Sequence, residues 1–447
     1  MRRTSTASHG RRDEQASGGL AARWLVLVLL AAAALLASAC RGTPEDPTAL
    51  SWYVNPDNGG QARLAERCSA ASGGRYRIRV HELPRDATGQ REQLVRRLAA
   101  RDASIDLVNV DPPFLPELAA AGFLRPFSPR EARELAEGML AAPLRSATWA
   151  GSLFAVPLWA STQLLWYRRS VARRAGLDLE AGPVTWAQLV DAAERTGTSV
   201  EVQGNRYEGY MVWITALVAS AGGEVLLDPA AGDEARPGLD SPAGRAAAQV
   251  IRRLAGSPAA NPALATADEE VARAAFQGSR GGFMVNWPYV YGAEQEAVAA
   301  GALPPAVLDD VGWARYPRVR AELPSRPPLG GIGLAVAAFS RRTALAVEAA
   351  RCLSSGESQT AYMLDARIPV SRRAVYDDPR IRDRYPMADL IRASIDEAEP
   401  RPRTPYYVDV SAATVRTFHP PASVDPDRTP ADAARLVVAV LHDRVLL

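Results

Sequence analysis

The chain has 447 residues, of which 47% are hydrophobic and 23% are charged, which excludes a disordered or fibrous protein and leaves room for two globular domains. Its 52 Arg and Lys residues against 50 Asp and Glu residues give a formal net charge of +2. This near-neutral balance provides no electrostatic basis for binding a nucleic acid.

The N-terminal segment, residues 1–39, has the pattern of a secretory signal peptide. Several arginines precede an apolar run at 24–39, which is shorter than the about 20 apolar residues that a membrane span needs. The run ends in small residues directly before Cys40, as in bacterial lipoprotein signals, where the cysteine carries the lipid. We predict a lipidated linker at 40–48 and a location on the extracellular face of the cell membrane. Ordinary cleavage or a retained anchor is the alternative, and the export route, Sec or twin-arginine, stays open.

The first part of the mature chain alternates predicted strands and helices. Strands are predicted at 49–54, 76–83 and 105–110, with helices at 61–72 and 90–101 between them. This alternation is typical of an α/β domain with a mostly parallel sheet. A strand pair at 153–158 and 163–167 is predicted to cross to a second lobe.

The second half of the chain is predicted to be mainly helical. Thr185, with Gln188 three residues later, has the capping-box pattern that begins a helix, here at 185–196. Single strands are predicted at 281–286 and 334–339. The remaining predicted helices lie at 343–353, 387–398 and 430–445, and Pro-rich connectors at 324–328 and 399–405.

Motifs that indicate catalysis or metal binding are missing from the sequence. The four histidines are isolated, and their spacing suits no metal. No glycine-rich phosphate loop follows a strand, and there is no Gly-x-Ser-x-Gly nucleophile motif. We therefore predict a protein that is not an enzyme and uses neither a cofactor nor a metal. An exported glycoside hydrolase stays open as an alternative, because the sequence does not tell which carboxylates face each other in the fold.

Polar and aromatic residues follow several predicted strands at the point where each strand ends. Asp57 and Asn58 follow the first strand, Asp111 follows the third, and Asn286 and Trp287 end the strand at 281–286. Ligands of open α/β sheets bind outside the carboxyl ends of the strands. Carboxylates and amides hydrogen-bond hydroxyl groups, and an indole packs on the apolar face of a sugar ring. The pattern predicts a sugar site, although a turn, a helix cap or a core position would explain each residue singly.

Two cysteines, Cys68 and Cys352, remain after Cys40. Because an exported protein folds in an oxidising compartment, we predict that they form a disulfide. Two buried free thiols are the alternative.

Short segments in a fixed order carry a resemblance to a known family. They are RC (67–68), QLLWY (163–167), VQG (202–204), YEG (207–209), SAGG (220–223), VNWP (285–288), LGG (329–331), RCL (351–353) and YPM (385–387). With the export signal, these segments resemble the extracellular solute-binding proteins of ABC sugar importers, and among them the actinobacterial trehalose-binding lipoproteins of the trehalose-recycling importer.

The resemblance implies a two-lobed α/β fold of the periplasmic-binding-protein type, with a hinge and a ligand cleft between the lobes. We predict that lobe 1 comprises residues 49–155 with about 305–355, and lobe 2 residues 156–304 with about 356–447. The implied function is capture of trehalose or a related disaccharide by a monomer, followed by delivery to ABC permease subunits. Lobe closure about the hinge would accompany binding.

The resemblance also assigns roles to single residues. Asp111 matches a sugar-binding Asp of the family, Glu269 a site Glu, Trp287 a stacking Trp, Gly331 a backbone contact and Arg401 a site Arg. The two paired cysteines match the positions of the family's disulfide.

One position departs from the family pattern. Ser161 stands where the family carries a ligand-binding Asn, and Ser is shorter and has one hydrogen-bond donor fewer. The first loop also differs by one residue in spacing, which bears on Asp57 and Asn58. Another oligosaccharide or a polyol therefore stays open as the ligand.

Overall fold

The computed structural model describes residues 46–57 and 59–447. The predicted signal peptide, the lipidation site Cys40 and the predicted site residue Asn58 lie outside the described residues. The described residues before Leu50 form a turn, in which the Ala49 amide donates to the Asp46 carbonyl at 3.1 Å.

The strands of the described chain are short and distributed along most of its length. They are β1 Ala49–Val54, β2 Arg77–Glu82, β3 Leu107–Val110, β4 Thr148–Trp149, β5 Ser152–Leu153, β6 Ala155–Thr162, β7 Leu164–Arg168, β8 Ser199–Glu201, β9 Leu226–Leu227, β10 Arg236–Pro237, β11 Gly281–Asn286, β12 Val311–Ala314 and β13 Leu329–Val336. β4 pairs with β5, and β9 with β10, as separate two-stranded ribbons.

The first large sheet has the strand order β2-β1-β3-β13-β6 within the described residues. β1 and β3 are parallel, whereas β13 is antiparallel to both β3 and β6. The sheet is therefore mixed and not mostly parallel as predicted. The prediction missed this because strand periodicity gives the faces of a strand but not its direction. All eight residues of β6 are buried, as its apolar sequence requires.

The second large sheet has the order β12-β7-β11-β8. β7 is antiparallel to both β11 and β12, and β8 is parallel to β11. Side chains alternate between its faces, so Trp166 and Met284 pack in one hydrophobic core while Leu165 and Val285 pack in the other. The strand at 281–286 was predicted with the observed bounds, but β12 was not predicted.

The chain crosses between the two large sheets at several points in the described structure. β6 belongs to the first sheet and β7 to the second, and only the buried Gln163 lies between them. The predicted crossing at this strand pair is therefore present. The chain returns between β12 and β13. That return segment is hydrogen-bonded to Glu399. The Glu399 amide donates to the Pro327 carbonyl, and the Leu329 amide donates to the Glu399 carbonyl, both at 2.8 Å.

Helices cover both sheets. They are Gly60–Ala71, Ala87–Ala99, Leu115–Ala120, Pro129–Ala136, Ala141–Ser146, Arg169–Ala175, Trp186–Thr196, Glu208–Ser220, Pro242–Ala255, Glu269–Gln277, Tyr289–Ala299, Pro305–Asp309, Thr343–Leu353, Gly356–Ala366, Pro379–Arg384, Ala388–Glu397, Tyr407–Phe418 and Thr429–Leu441. The predicted capping box is present, because the Thr185 hydroxyl accepts from the Gln188 amide while the Gln188 side chain accepts from the Thr185 amide.

The late helices differ from the predicted lobe boundaries. Residues 356–397 were assigned to lobe 2, but Tyr362, Tyr376 and Ile391 pack in the first core, beside the first sheet. Among the described helices after residue 356, Tyr407–Phe418 and Thr429–Leu441 are the ones that pack in the second core. β6 lies in the first sheet and β12 in the second, opposite to the predicted ranges. A helical pattern identifies an apolar face but not the sheet that the face covers.

A disulfide joins Cys68 and Cys352, as predicted, with a Cα–Cα distance of 5.8 Å. It links the helix Gly60–Ala71 to the helix Thr343–Leu353, both of which pack in the first core. Within residues 46–57 and 59–447, we find no helix whose length and apolar character would let it cross a membrane.

Candidate functional site

A cavity of about 480 Å³ lies where residues from the two large sheets approach each other. Asn55 and Asp111 follow the parallel strands β1 and β3, and both line the cavity. Segments next to β11 and the start of the helix Glu208–Ser220 form the facing wall. Binding pockets for small molecules have volumes of about 300–1,000 Å³, so the cavity has the size of a small-ligand site.

The first-sheet wall is built from the ends of β3, β6 and β13. Asp111 accepts a hydrogen bond from Arg401 through Oδ1 at 2.7 Å, while its Oδ2 has no partner among the described residues. Burial raises the pKa of Asp111 to about 6; nearby Arg401 lowers it, and Glu208 raises it further. Ser161 lies opposite Gly330 in the β6–β13 ladder, and both line the cavity.

Two adjacent glycines in β13 allow other groups to approach this wall closely. A Cβ on Gly330 would lie 2.7 Å from two atoms of the Trp287 indole. Gly331 has a φ of +134°, and a Cβ there would lie 2.5 Å from the Trp159 carbonyl oxygen. Larger residues at either position would displace the aromatic or backbone neighbour.

The facing wall contains a buried carboxylate, Glu269, at the first turn of the helix Glu269–Gln277. The Tyr207 hydroxyl donates to its Oε2 at 2.6 Å. Burial raises the pKa of Glu269, and hydrogen bonds from Tyr207 and Trp287 oppose that shift. Two aromatic side chains, Tyr207 and Trp287, therefore fix the position of this carboxylate.

Asn286 lies behind this wall and does not line the cavity. Its amide nitrogen donates to the Glu269 carbonyl at 3.0 Å, and its side-chain oxygen accepts from the Trp287 amide at 2.8 Å. Asn286 was predicted to bind the ligand. Its contacts instead orient Glu269 and Trp287, because its side chain is fully buried.

Aromatic rings surround the polar groups of the cavity. Trp287 is half-buried, and Trp159, Tyr207 and Tyr289 also line the walls. Trp159 stacks on Tyr362 with a ring-centroid separation of 5.4 Å, which fixes its plane. Such faces can cover the apolar surface of a bound ring while their polar edges bond its hydroxyls.

Arg401 connects the two walls. Its Nη1 donates to Glu208 and its Nη2 to Asp111, both at 2.7 Å, and its side chain is only 5% exposed. Glu208 also accepts hydrogen bonds from the Tyr407 and Ser411 hydroxyls. Burial opposes the charge of Arg401, but Asp111, Tyr407 and Glu208 together outweigh it and raise the pKa of the guanidinium above its ordinary value. The charge is thereby shared between two carboxylates.

The predicted residue Asp57 is not part of the cavity wall. Its oxygens accept from the Gly59 and Gln61 amides at 2.9 and 2.8 Å and from the Tyr362 hydroxyl at 3.1 Å. These contacts begin the helix Gly60–Ala71, which is the turn-and-cap role considered in the sequence analysis. Asn55, two residues earlier, lines the cavity in its place.

The structure therefore brings together most of the residues predicted for the site. The predicted residues that line the cavity are Asp111, Ser161, Glu269, Trp287, Gly331 and Arg401. Sequence reasoning missed Asn55, Trp159, Tyr207, Glu208 and Tyr289. The YEG segment at 207–209 carries part of the family resemblance, and the position of Glu208 at a helix start is the one sequence signal for a role.

A larger cavity of about 670 Å³ lies on the other side of the connector at 399–403. It shares Arg401 with the first cavity; of its other charged residues, Arg145 and Glu224 are exposed, and Glu399 and Arg403 are half-buried. We assign the site to the smaller cavity because buried donors, acceptors and aromatic rings converge there. No group of three or more potential metal ligands occurs in the part of the chain that the structure describes.

Comparisons with known proteins agree with this geometry. A probable ABC transporter-binding protein of Deinococcus radiodurans is 26% identical over 337 residues, covering 73% of this chain and 76% of the relative. The maltose-bound MalE3 of T. maritima is 24% identical with a TM-score of 0.75, covering 89% of this chain and 100% of that chain. The GacH receptor of Streptomyces glaucescens, solved unliganded and with acarbose, is 20% identical with a TM-score of 0.73, covering 88% and 98%.

These likenesses show that the fold is the two-lobed fold of periplasmic binding proteins, as predicted. Residues 78–360, more than half of the chain, match the family model described as bacterial extracellular solute-binding protein. Members of this family bind solutes and are not enzymes, in agreement with the prediction from the missing motifs. The chain belongs to the family of bacterial extracellular solute-binding proteins.

Proposed function

We propose that this protein is the lipid-anchored binding subunit of an ABC sugar importer, and that it binds trehalose or a related disaccharide in the 480 Å³ cavity. The observation that carries the proposal is the convergence of Asp111, Glu269 and Trp287 on one cavity between the two lobes. The bound sugar would be delivered to permease subunits in the membrane. Another oligosaccharide or a polyol is the alternative ligand.

The hydrogen-bonding groups of the cavity support a polyhydroxylated ligand. Asp111 Oδ2 and the Ser161 hydroxyl have no partners among the described residues, so both are available to ligand hydroxyl groups. Carboxylates accept hydrogen bonds, and the Ser161 hydroxyl both donates and accepts. The half-buried face of Trp287 supplies the apolar surface that a pyranose ring needs.

The names of similar proteins also support the proposal. One solved structure holds maltose and another acarbose, and the Deinococcus radiodurans relative is described as a transporter-binding protein. We propose by analogy that this chain also binds a sugar and delivers it to an ABC importer.

Closure would follow from the position of Arg401. The guanidinium contacts Asp111, after β3 of the first sheet, and Glu208, at the start of a helix of the second core. A ligand that bonds Asp111 and Glu269 would add a second link between the walls. Such differential contacts favour the closed form over the open form.

Isothermal titration calorimetry of the purified exported protein tests the proposal. The panel contains trehalose, maltose, maltotriose and ribitol, and the sugar is recovered after each titration. We expect saturable binding of a disaccharide, which is recovered unchanged. No heat with any member of the panel would contradict the proposal, and tight binding of ribitol alone would favour the polyol alternative.

The variant Trp287→Ala tests the position of the site. We expect affinity to fall by about 10- to 100-fold, which corresponds to about 1.4–2.8 kcal/mol. Trp149→Ala is the matched control, because Trp149 is also half-buried but lines the larger cavity. Equal affinities of the two variants would place the ligand elsewhere.

The lipid anchor is a separate proposal that rests on the sequence before residue 41. We expect Cys40→Ala to release the protein from the membrane fraction into the medium, as measured by immunoblotting of both fractions. Retention of the variant in the membrane fraction would contradict lipidation at Cys40.

A further inference from the structure

We propose that the cavity selects its ligand by charge, accepting a neutral or an aminated polyhydroxylated compound and rejecting the phosphorylated or carboxylated form of the same compound. This inference rests on the proposed function, because it takes the cavity as the sugar site. It adds that the site binds aminated compounds and excludes phosphorylated or carboxylated ones.

Carboxylates outnumber cations in the interior of the cavity. Asp111, Glu208 and Glu269 line it, whereas Arg401 is the interior cation among the described lining residues. Arg401 is already shared between two carboxylates, because one Nη donates to Asp111 and the other to Glu208, although its buried Nε has no partner among the described residues. A phosphate in the interior would compete with Asp111 and Glu208 for this single guanidinium and would lie among three lining carboxylates, which repel it.

The charged residues at the rim do not change this balance. Arg85 and Asp86 are adjacent, exposed and both part of the lining, so their charges oppose each other. On the facing wall, Glu270 is paired with Arg273; burial raises the pKa of Glu270, but hydrogen bonds from Arg273 and Tyr289 outweigh it, and Arg85 adds only the smallest lowering effect. The exposed Arg85 at the rim is therefore balanced by the adjacent Asp86.

The open acceptor in the interior is an anionic one. Asp111 Oδ2 has no partner among the described residues, and 17% of the side chain remains exposed to the cavity. A ligand ammonium bonded to this carboxylate adds the attraction between two opposite unit charges, which a neutral hydroxyl in the same place lacks. Glu269 lies across the cavity as a second buried carboxylate, held by Tyr207. The field of the interior thus favours positive over negative ligand groups.

Three probes on one scaffold test the inference: trehalose, 6-amino-6-deoxytrehalose and trehalose 6-phosphate. The same substitutions on maltose are used if maltose is the tighter disaccharide. Calorimetry at pH 7.5 is expected to give an affinity for the amine at least equal to that of the parent sugar, and an affinity for the phosphate at least 100-fold weaker. Binding of the phosphate within threefold of the parent would overturn the inference while leaving the proposed function intact. No binding of any probe would overturn both.

Two variants locate the charge that discriminates. Asp111→Asn and Glu269→Gln each remove one negative charge and keep the side chain's size. In at least one of them, we expect the ratio of amine to phosphate affinity to fall at least tenfold. An unchanged ratio in both variants, each shown to be folded by its melting transition, would assign the selectivity to something other than these carboxylates and overturn the argument.

Discussion

The variant Gly330→Ala offers a direct test of how the β13 strand shapes the site. A Cβ at this position would lie 2.7 Å from two atoms of the Trp287 ring, whereas carbon atoms in contact prefer about 3.5–4.0 Å. The indole must therefore move by about 1 Å away from the wall, or the strand must shift by a similar distance. Because Trp287 is held by Asn286 and lies against the site, the movement changes the ring's position relative to a bound sugar.

We expect the affinity of Gly330→Ala for the disaccharide to fall about tenfold or more, which is about 1.4 kcal/mol or more. Gly333→Ala is the matched control. It lies in the same strand, and its added Cβ would lie at the same 2.7 Å from a neighbour, but that neighbour is Ala155 in the first core. The control should lower the melting temperature and leave the affinity within twofold.

Calorimetry measures the affinity of each variant, and differential scanning calorimetry measures its stability. Because the chain has 9 Trp residues, the further readout is the change in total tryptophan fluorescence in Gly330→Ala compared with that in the Gly333→Ala control. Wild-type affinity in Gly330→Ala would refute the reasoning, as would an equal loss of affinity in the control.

The remaining predictions concern the charged groups and the disulfide. Since the pKa of Asp111 in the folded protein is about 6 against an ordinary 3.8, its contribution to stability should fall by about 3 kcal/mol as the pH rises from about 4 to about 7. Asp111→Asn should therefore make the unfolding free energy less dependent on pH between about 4 and 7 while weakening sugar binding, and an unchanged pH dependence in the variant would contradict the reasoning. Wild-type sugar affinity should decrease as the pH is lowered through 6, because protonation removes the carboxylate acceptor; a flat calorimetric profile from pH 7.5 to 5 would count against its role. Glu208→Gln removes one of the two carboxylates that bond Arg401 and leaves Asp111 unchanged. We expect it to weaken sugar binding about tenfold. Wild-type affinity in calorimetry would show that the site does not need the Glu208 carboxylate to hold Arg401. Replacing Cys68 and Cys352 by Ala should lower the unfolding free energy by about 2–5 kcal/mol in denaturant titrations with little effect on affinity, and an equal loss of affinity would link the disulfide to the site.

The sequence allowed much of the fold to be predicted where a strand or helix has a strong pattern of its own. The strand at 281–286 and the helix Thr343–Leu353 have the predicted bounds, because both are apolar segments with clear flanking residues. β13 begins at Leu329, five residues before the predicted strand start at 334, because Gly330, Gly331 and Gly333 conceal its pattern. Glycine has low strand propensity, but here these residues allow close approach of neighbouring groups.

The candidate site was predictable where a single strand end decides the position of a residue. Asp111 and Trp287 each follow a buried strand, and both line the cavity. Asp57 follows β1 as well, but its oxygens are used by the backbone of the next helix, and Asn55 lies at the wall instead. The choice between two polar residues in one loop depends on local hydrogen bonds that strand patterns do not show.

Tertiary folding determines the other site residues. Arg401 lies in a Pro-rich connector, and only the family resemblance suggested it, because such an arginine is ordinarily exposed. Its burial depends on Glu208 and Asp111, which are 193 and 290 positions away in the sequence. The packing of residues 356–397 in the first core was not predicted for a related reason, since contact with one sheet or the other is a long-range property.

The position of β13 has a consequence for how the protein folds during export. β13 lies between β3 and β6 and supplies the ladder hydrogen bonds of both, although β3 and β6 precede it by more than 160 residues. On the Sec route, the chain emerges from a membrane channel unfolded and N-terminus first, and it therefore exposes two unpaired strand edges until residue 336 has passed through. Pairing over such separations is slow, so we expect the nascent chain to be a target for proteases and folding factors outside the membrane for most of its passage.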